Sequence, residues 1–214
     1  MDYTLRSYFR SSCSWRVRIA LAHKGLSYAT IPVHLLQDGG QQHGEAHRKA
    51  NPMRELPVLL VGDEPLAQSM AILEYLEDAH PTPSLLPKNA LARARVRQMA
   101  EVINSGIQPI QNLRVMQKLQ KDFGLEKSQT KTWSADWIQF GFDALEQLVS
   151  RYSGLYCFAD EVSFADACLI PQLFNARRFE VDLGHYPHLT RIEESLNKLP
   201  AFEASHPSKQ PDAE

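Results

Sequence analysis

The sequence predicts an α+β chain in which a β-α-β-α-β-β-α region is followed by a region of helices alone. Three observations predict it. Before residue 80, β-favouring runs at 3–9, 28–36 and 57–61 alternate with stretches of helical periodicity. His80-Pro81-Thr82-Pro83 then breaks every regular pattern, because two prolines cannot continue a helix and push their neighbours into extended conformations. Beyond it, apolar residues recur only at helical spacing. Domains are therefore expected at 1–82 and 88–214, with a linker over 81–88.

Taken in order, Tyr3 to Phe9 is aromatic and reads as the first strand. Ser11-Ser12 precedes an amphipathic helix that Gly25 stops. Tyr28 to Leu36, rich in Ile, Val, Thr and Tyr, is the second strand. Gly39-Gly40 breaks the pattern, and Gln41 to Ala50 is either a short helix or a loop. Pro57 opens a strand through Val61, a position where proline is tolerated. Gly62-Asp63 turns the chain into a short return strand at Pro65-Leu66-Ala67. Ser69 is expected to be the N-cap of a helix over Met70 to Asp78, with Ile72, Leu73 and Leu76 on one side.

In the second region, Leu91 to Asn104 carries Val96, Met99, Ala100 and Ile103 at helical spacing. Gly106 and Pro109 interrupt it, Pro109 as a kink, before the pattern resumes over Leu113 to Phe123. Trp133 to Ser150 is a further helix, stopped by Ser153-Gly154. Ser163-Phe164-Ala165-Asp166 forms a capping box ahead of a helix over Ala167 to Phe174. From Pro200 the chain is polar and helix-poor, and Ser205 to Glu214 is expected to be a mobile tail.

The 214 residues, 43% of them hydrophobic, suffice for two domains with their own cores. Lys and Arg number 23 against 25 Asp and Glu, so no global basic field recommends nucleic acid or an anionic membrane as partner. Small ligands remain. Cys13, Cys157 and Cys168 are odd in number and not in Cys-x-x-Cys spacing, which argues against a disulfide framework and for a reducing, cytoplasmic setting. No run approaches the ~20 apolar residues of a membrane span. His43 and His47 are four apart but lack a third ligand, so no metal site is expected.

Chemistry concentrates at five places. Ser11, Ser12 and Ser14 stand at a helix start, where they either cap the helix or, with its unpaired N–H groups and dipole, hold an anion; Cys13 lies among them. The Leu56-Pro57 bond is of the type that takes the cis form readily, which would turn the Leu56 backbone groups outward; the alternative is an ordinary trans proline. Gln68-Ser69 opens the later helix. Gln108 and Asn112 are expected on one helix face, with Gln111 and Arg114 beside them, either binding a polar ligand or facing solvent. Arg177 and Arg178, flanked by Phe174 and Phe179, either pair with acids such as Glu180 and Asp182 or grip a carboxylate in a bidentate fork.

Ser-Ser-Cys-Ser-Trp-Arg-Val-Arg-Ile-Ala-Leu, Ser11 to Leu21, resembles the N-terminal signature of zeta-class glutathione transferases, which include maleylacetoacetate isomerases. The Leu-Pro, Gln-Ser and capping-box motifs fall in that family's order, and the resemblance covers nearly the whole chain. It implies the glutathione transferase fold: a thioredoxin-like N-terminal domain followed by an all-α domain. It implies glutathione as cofactor, catalytic roles for Ser11, Ser12 and Cys13, and glutathione contacts from Ser11, Ser12, Gln42, Leu56, Pro57, Gln68, Ser69, Gln108 and Asn112. Substrate contacts fall to Arg10, Arg178 and Arg114, the last standing where some members carry a small residue.

The implied activity is cis–trans isomerisation of maleylacetoacetate to fumarylacetoacetate, in tyrosine and phenylalanine catabolism. The alternatives are a maleylpyruvate isomerase and a general glutathione transferase acting on small electrophiles such as α-halo acids. A cytoplasmic homodimer acting on a small dicarboxylate is implied with it. A non-enzymatic module of the same fold would lack Ser11-Ser12, which this chain has.

Overall fold

Alternation of side chains along an extended strand sets the first layer. β1 (Tyr3–Ser7) buries Tyr3, Leu5 and Ser7 and turns Thr4 and Arg6 toward the opposite side, the period of two that a strand dictates. In the computed structural model, which describes residues 2–214, β1 lies inside a four-stranded sheet. β2 (Tyr28–Pro32) pairs with it in parallel, β3 (Val58–Val61) pairs with it antiparallel, and β4 (Glu64–Ala67) pairs antiparallel with β3. Leu5 stands opposite Thr30 on one side and Leu59 on the other. β2 and β4 are the edge strands, and each contains a proline, Pro32 and Pro65.

The second strand stops at Pro32, short of the expected Leu36. Val33 N–H still donates to Ser7 C=O, but the His34 ring Nδ1 accepts from the N–H groups of Leu36 and Gln37 and curls the chain. Two 3₁₀ turns follow at Gln37–Gly39 and Gln41–His43, then the short helix α2 (Glu45–Ala50).

α1 (Ser12–His23) makes the crossover between β1 and β2, and α3 (Ser69–Ala79) packs beside it. α1 is covered on every side: Trp15, Val17, Ile19, Ala20 and Leu21 are buried, and so are Arg16 and Arg18. Lys24, just past its end, is buried too. Its Nζ donates to Glu77 Oε2 at 2.8 Å, His80 C=O at 2.7 Å and Pro83 C=O at 2.8 Å. Glu77 also accepts from Ser84 Oγ and from Leu85 N–H.

The chain separates into two units, one running to Leu85 and including Asn197–Glu214, the other comprising Leu86–Leu196. The expectation had kept everything after residue 88 in the second domain and left 205–214 mobile. Instead α9 (Pro200–Ser205) packs on α1. Trp15 Nε1 donates to Ser205 Oγ at 3.1 Å and Arg18 Nε to Ser205 C=O at 3.1 Å, so this returning segment supplies acceptors to two buried donors of α1.

The helical unit contains α4 (Ala90–Glu101), α5 (Leu113–Phe123), α6 (Lys127–Tyr152), α7 (Phe164–Arg178) and α8 (Pro187–Leu196). α4 runs into a π-helical turn, Val102–Ile107, ahead of Pro109. Gly141 of α6 meets that turn, where an added Cβ would lie 2.3 Å from Ile107 Cδ1, so any larger residue would force the Ile107 side chain to shift. α6 begins six residues before the expected Trp133, because Glu126 N–H donates to Gln129 Oε1 and closes a capping box. α7 begins as its motif requires: Ser163 N–H and Oγ both donate to Asp166 Oδ2 at 2.8 Å. Asp166 Oδ1 accepts from Cys157 N–H, while burial raises the carboxyl pKa and these bonds oppose the rise.

Candidate active site

The first cluster is built on the turn between β1 and α1. Ser11 N–H donates to Tyr8 C=O at 2.9 Å, closing a β-turn with Phe9 and Arg10 at its centre. Ser11 is the N-cap, and its Oγ accepts from Ser14 N–H at 3.2 Å. That bond uses the hydroxyl as an acceptor and leaves its proton to be donated elsewhere. Ser12 is buried, and Cys13 is a half-buried thiol outside any disulfide. Ser14 Oγ is buried and has no hydrogen-bond partner among the described residues. The Arg10 guanidinium bonds the Tyr8 hydroxyl through Nη2 at 2.8 Å and lies 5.2 Å from the centroid of the Phe9 ring.

The turn is braced from behind. Arg18, fully buried in α1, donates through Nη2 to Phe9 C=O at 2.9 Å and through Nη1 to Ser7 Oγ at 3.0 Å. Burial pulls its guanidinium down to about 10, against the charges of Tyr28 and Asp212, so it stays ionised at neutral pH.

The second cluster lies at β3 and the start of α3. The Leu56–Pro57 bond is cis, and both residues are buried. Gln42 is buried, with Nε2 toward Leu35 C=O and Oε1 lacking a partner among the described residues. The N-cap of α3 is Gln68, not Ser69: Gln68 sits at φ +73°, in the left-handed region, and Ser69 is the first helical residue. A side chain at that φ leaves the helix axis, so exposed Gln68 caps nothing with its amide. Ser69 is buried, and its Oγ accepts from Arg16 Nη1 at 3.2 Å. Sequence reading passed over Arg16. Its signal was a second arginine inside an apolar run, which points to burial but not to a partner.

In the helical unit, Gln108 and Asn112 do not share a helix face. Gln108 lies in the turn after the π-helical segment, and Asn112 is the N-cap of α5, its Oδ1 accepting from Arg114 N–H at 3.2 Å. Pro109 has no N–H to continue the α4 ladder, so the chain restarts rather than kinks. Gln111 instead turns inward, where its Nε2 donates to Gln172 Oε1 of α7 at 2.8 Å; both amides are buried. Arg114 is exposed on α5. Arg177 forms a two-pronged pair with Glu193, at 2.6 and 2.5 Å, rather than with Glu180 or Asp182. Arg178, the last residue of α7, is exposed, with its guanidinium 5.4 Å from the centroid of the Phe179 ring.

Residues 10–79 match the family "Glutathione S-transferase, N-terminal domain". The maleylacetoacetate isomerase of Rattus norvegicus is 50% identical over 208 residues, covering 97% of this chain and 94% of that protein. The chain belongs to the zeta-class glutathione transferase and maleylacetoacetate isomerase family. Among solved zeta-class structures, a bacterial maleylpyruvate isomerase in its holo form superposes with a TM-score of 0.95 at 39% identity, covering 99% of this chain and 100% of that one. The maleylacetoacetate isomerase of Anaeromyxobacter dehalogenans, solved with glutathione in its active site, gives a TM-score of 0.90 at 44% identity, with 100% and 98% covered. The same protein has been solved with dicarboxyethyl glutathione and citrate in that site. These matches identify the mixed sheet and helices 1 and 3 as a thioredoxin-like domain and the whole as the glutathione transferase fold.

Proposed function

We propose that this protein is a glutathione-dependent cis–trans isomerase that converts maleylacetoacetate to fumarylacetoacetate. The observation that carries the reading is the start of α1, where Ser11 caps as an acceptor and keeps a proton to donate, in a chain 50% identical to an isomerase over 97% of its length. The residues present suit a γ-glutamyl tripeptide. Gln42 Oε1 is a buried acceptor lacking a donor among the described residues, and Ser69 stands at a helix start where a carboxylate is favoured.

Glutathione, when bound, supplies the thiolate nucleophile that makes the cis carbon–carbon double bond transiently free to rotate. Ser11 Oγ, which keeps its proton, would donate a hydrogen bond to a thiolate held at this helix start, and the α1 dipole would add to that preference. Ser12 and Cys13 border the same position. Leu56, Pro57 and Gln42 would hold the peptide portion, Gln68 and Ser69 the γ-glutamyl end. Gln108 and Asn112 are further candidates for glutathione contacts on the strength of the family resemblance. Arg10 and Arg178 are each candidates to grip a substrate carboxylate in a charge-assisted fork, which would fix that end of the molecule while its middle turns. Arg114 is the least supported of the three, because it is exposed on α5 and departs from some family members.

Maleylpyruvate is the second candidate substrate, favoured by the TM-score of 0.95 to a maleylpyruvate isomerase. A direct assay of both substrates, with and without glutathione, decides between them. Turnover of neither substrate, with conjugation of α-halo acids intact, would replace the isomerase reading by a general transferase. No helix among the described residues is long and apolar enough to cross a membrane, and a cytoplasmic homodimer is part of the proposal. Sedimentation at micromolar concentration should give about two chain masses; a single chain mass would remove the dimer.

A further inference from the structure

The turn that delivers Arg10 and Ser11 is held at its apex by a residue far away in sequence. Phe9 is the second residue of that turn, so its N–H has no partner within it. Phe9 is 6% exposed, and a backbone donor so placed needs an acceptor. Asp212 supplies it: Phe9 N–H donates to Asp212 Oδ2 at 2.9 Å. On the other side of the same residue, Phe9 C=O accepts from Arg18 Nη2 at 2.9 Å. Both polar groups of Phe9 are therefore held by side chains, one from α1 and one from the segment after α9.

That segment is itself anchored along its length. Trp15 and Arg18 bond Ser205, the His206 ring meets the Trp15 ring edge-on at 5.2 Å, and Glu214 Oε1 takes bonds from His34 Nε2 and Gln37 Nε2. The His34 ring in turn packs against Tyr8, the first residue of the turn, with ring centroids 4.7 Å apart. Contacts to the rest of the first unit thus lie on either side of Asp212, at Ser205 and His206 and at Glu214.

We infer that Asp212 is a positioning residue: residues 205–214 form a strap, and its carboxylate fixes the Phe9 peptide so that Ser11 and Arg10 are presented in one geometry. This rests on the isomerase reading for what Ser11 does, not for the strap itself. A hydrogen bond from a backbone N–H to a carboxylate is strong, and reacting groups displaced by about 1 Å lose up to a hundredfold in rate. Ser11 lies two residues from the anchored peptide, so a loss of about tenfold in kcat/KM is the expected scale.

The test uses the full chain with Asp212→Ala and Asp212→Asn. The alanine loses the acceptor, whereas the asparagine keeps an oxygen at the same place. Asp212→Ala should expose the Phe9 amide to faster hydrogen exchange, raise the apparent thiol pKa of bound glutathione read by thiolate absorbance, and lower kcat/KM about tenfold. Asp212→Asn should restore all three to near wild type. A lowered melting temperature in Asp212→Ala with thiol pKa and kcat unchanged would make the contact merely structural and overturn the proposal. So would an asparagine variant as impaired as the alanine. A wild-type protein that binds glutathione but isomerises neither substrate would remove the isomerase reading alone, leaving amide exchange and thiol pKa to judge the strap.

Discussion

Replacing Lys24 by methionine removes a charge and three hydrogen bonds at the junction that ends the first unit. The ammonium is buried, and each of its three protons has a partner: Glu77 Oε2, His80 C=O and Pro83 C=O, all within 2.8 Å. The Lys24→Met variant keeps the length and packing of the stem but leaves a buried carboxylate without its counter-charge and two carbonyls without donors. Breaking a buried pair from one side costs about 3–5 kcal/mol, and the carbonyls set the value toward the upper end. The double variant Lys24→Met/Glu77→Leu removes the stranded carboxylate as well. It should regain roughly half of the loss, because the carboxylate is gone while the carbonyls freed from Lys24 and the Leu85 N–H freed from Glu77 still cost stability. Urea unfolding followed by far-ultraviolet circular dichroism measures both. A loss below about 1 kcal/mol in the single variant, or a double variant less stable than the single, would refute the reasoning.

The same pair sets a pH dependence. Burial alone would raise the Glu77 pKa, but the bonds from Lys24, Ser84 and Leu85 outweigh it and hold the carboxyl below its ordinary value. A folded-state pKa below the unfolded one contributes stability above the unfolded pKa, and that contribution is lost as pH falls through the folded one. Wild-type stability should therefore drop in acid below about pH 4.5, and the part of that drop due to Glu77 should vanish in Lys24→Met/Glu77→Leu. Ser11→Ala should raise the apparent pKa of bound glutathione thiol while Cys13→Ala leaves it near wild type, read by thiolate absorbance against pH; equal behaviour would reverse the assignment. Arg178→Ala should lower kcat/KM for the dicarboxylate about ten- to a hundredfold, the worth of a charge-assisted fork of roughly 1.5–3 kcal/mol, with glutathione affinity and melting temperature unchanged. Gln172→Leu should cost about 1–3 kcal/mol by stranding the Gln111 amide, and Gln111→Leu/Gln172→Leu should recover most of it in the same denaturation assay.

What the sequence disclosed was local. The capping box at Ser163 and Asp166, the proline opening β3 and the break at Pro81–Pro83 each depend on neighbours within a few residues, and each is found where its chemistry placed it. Ser69 was misjudged by one position because the left-handed backbone of Gln68 leaves no trace in residue type. The shared face proposed for Gln108 and Asn112 failed because periodicity was carried across Pro109, where the helix restarts. α8 and the first turns of α6 were missed, since their polar openings hide the apolar stripe. The strap was out of reach altogether. Its bonds join Phe9 to Asp212 and Trp15 to Ser205, pairs separated by 203 and 190 residues, and nothing in a polar closing segment says which buried donors it will satisfy.

The prolines at the two margins of the sheet bear on how the molecule meets others. A margin strand offers a row of unpaired backbone groups that invites another extended chain, the route by which sheets fuse between molecules. Pro32 terminates β2 and Pro65 stands within β4, so each margin lacks a donor at one position, and β4 opens on the charged Glu64 beside Asp63. Ladder extension is obstructed at both ends. Strand addition at either margin is thereby disfavoured, which lowers the tendency of one molecule's sheet to recruit an extended chain from another.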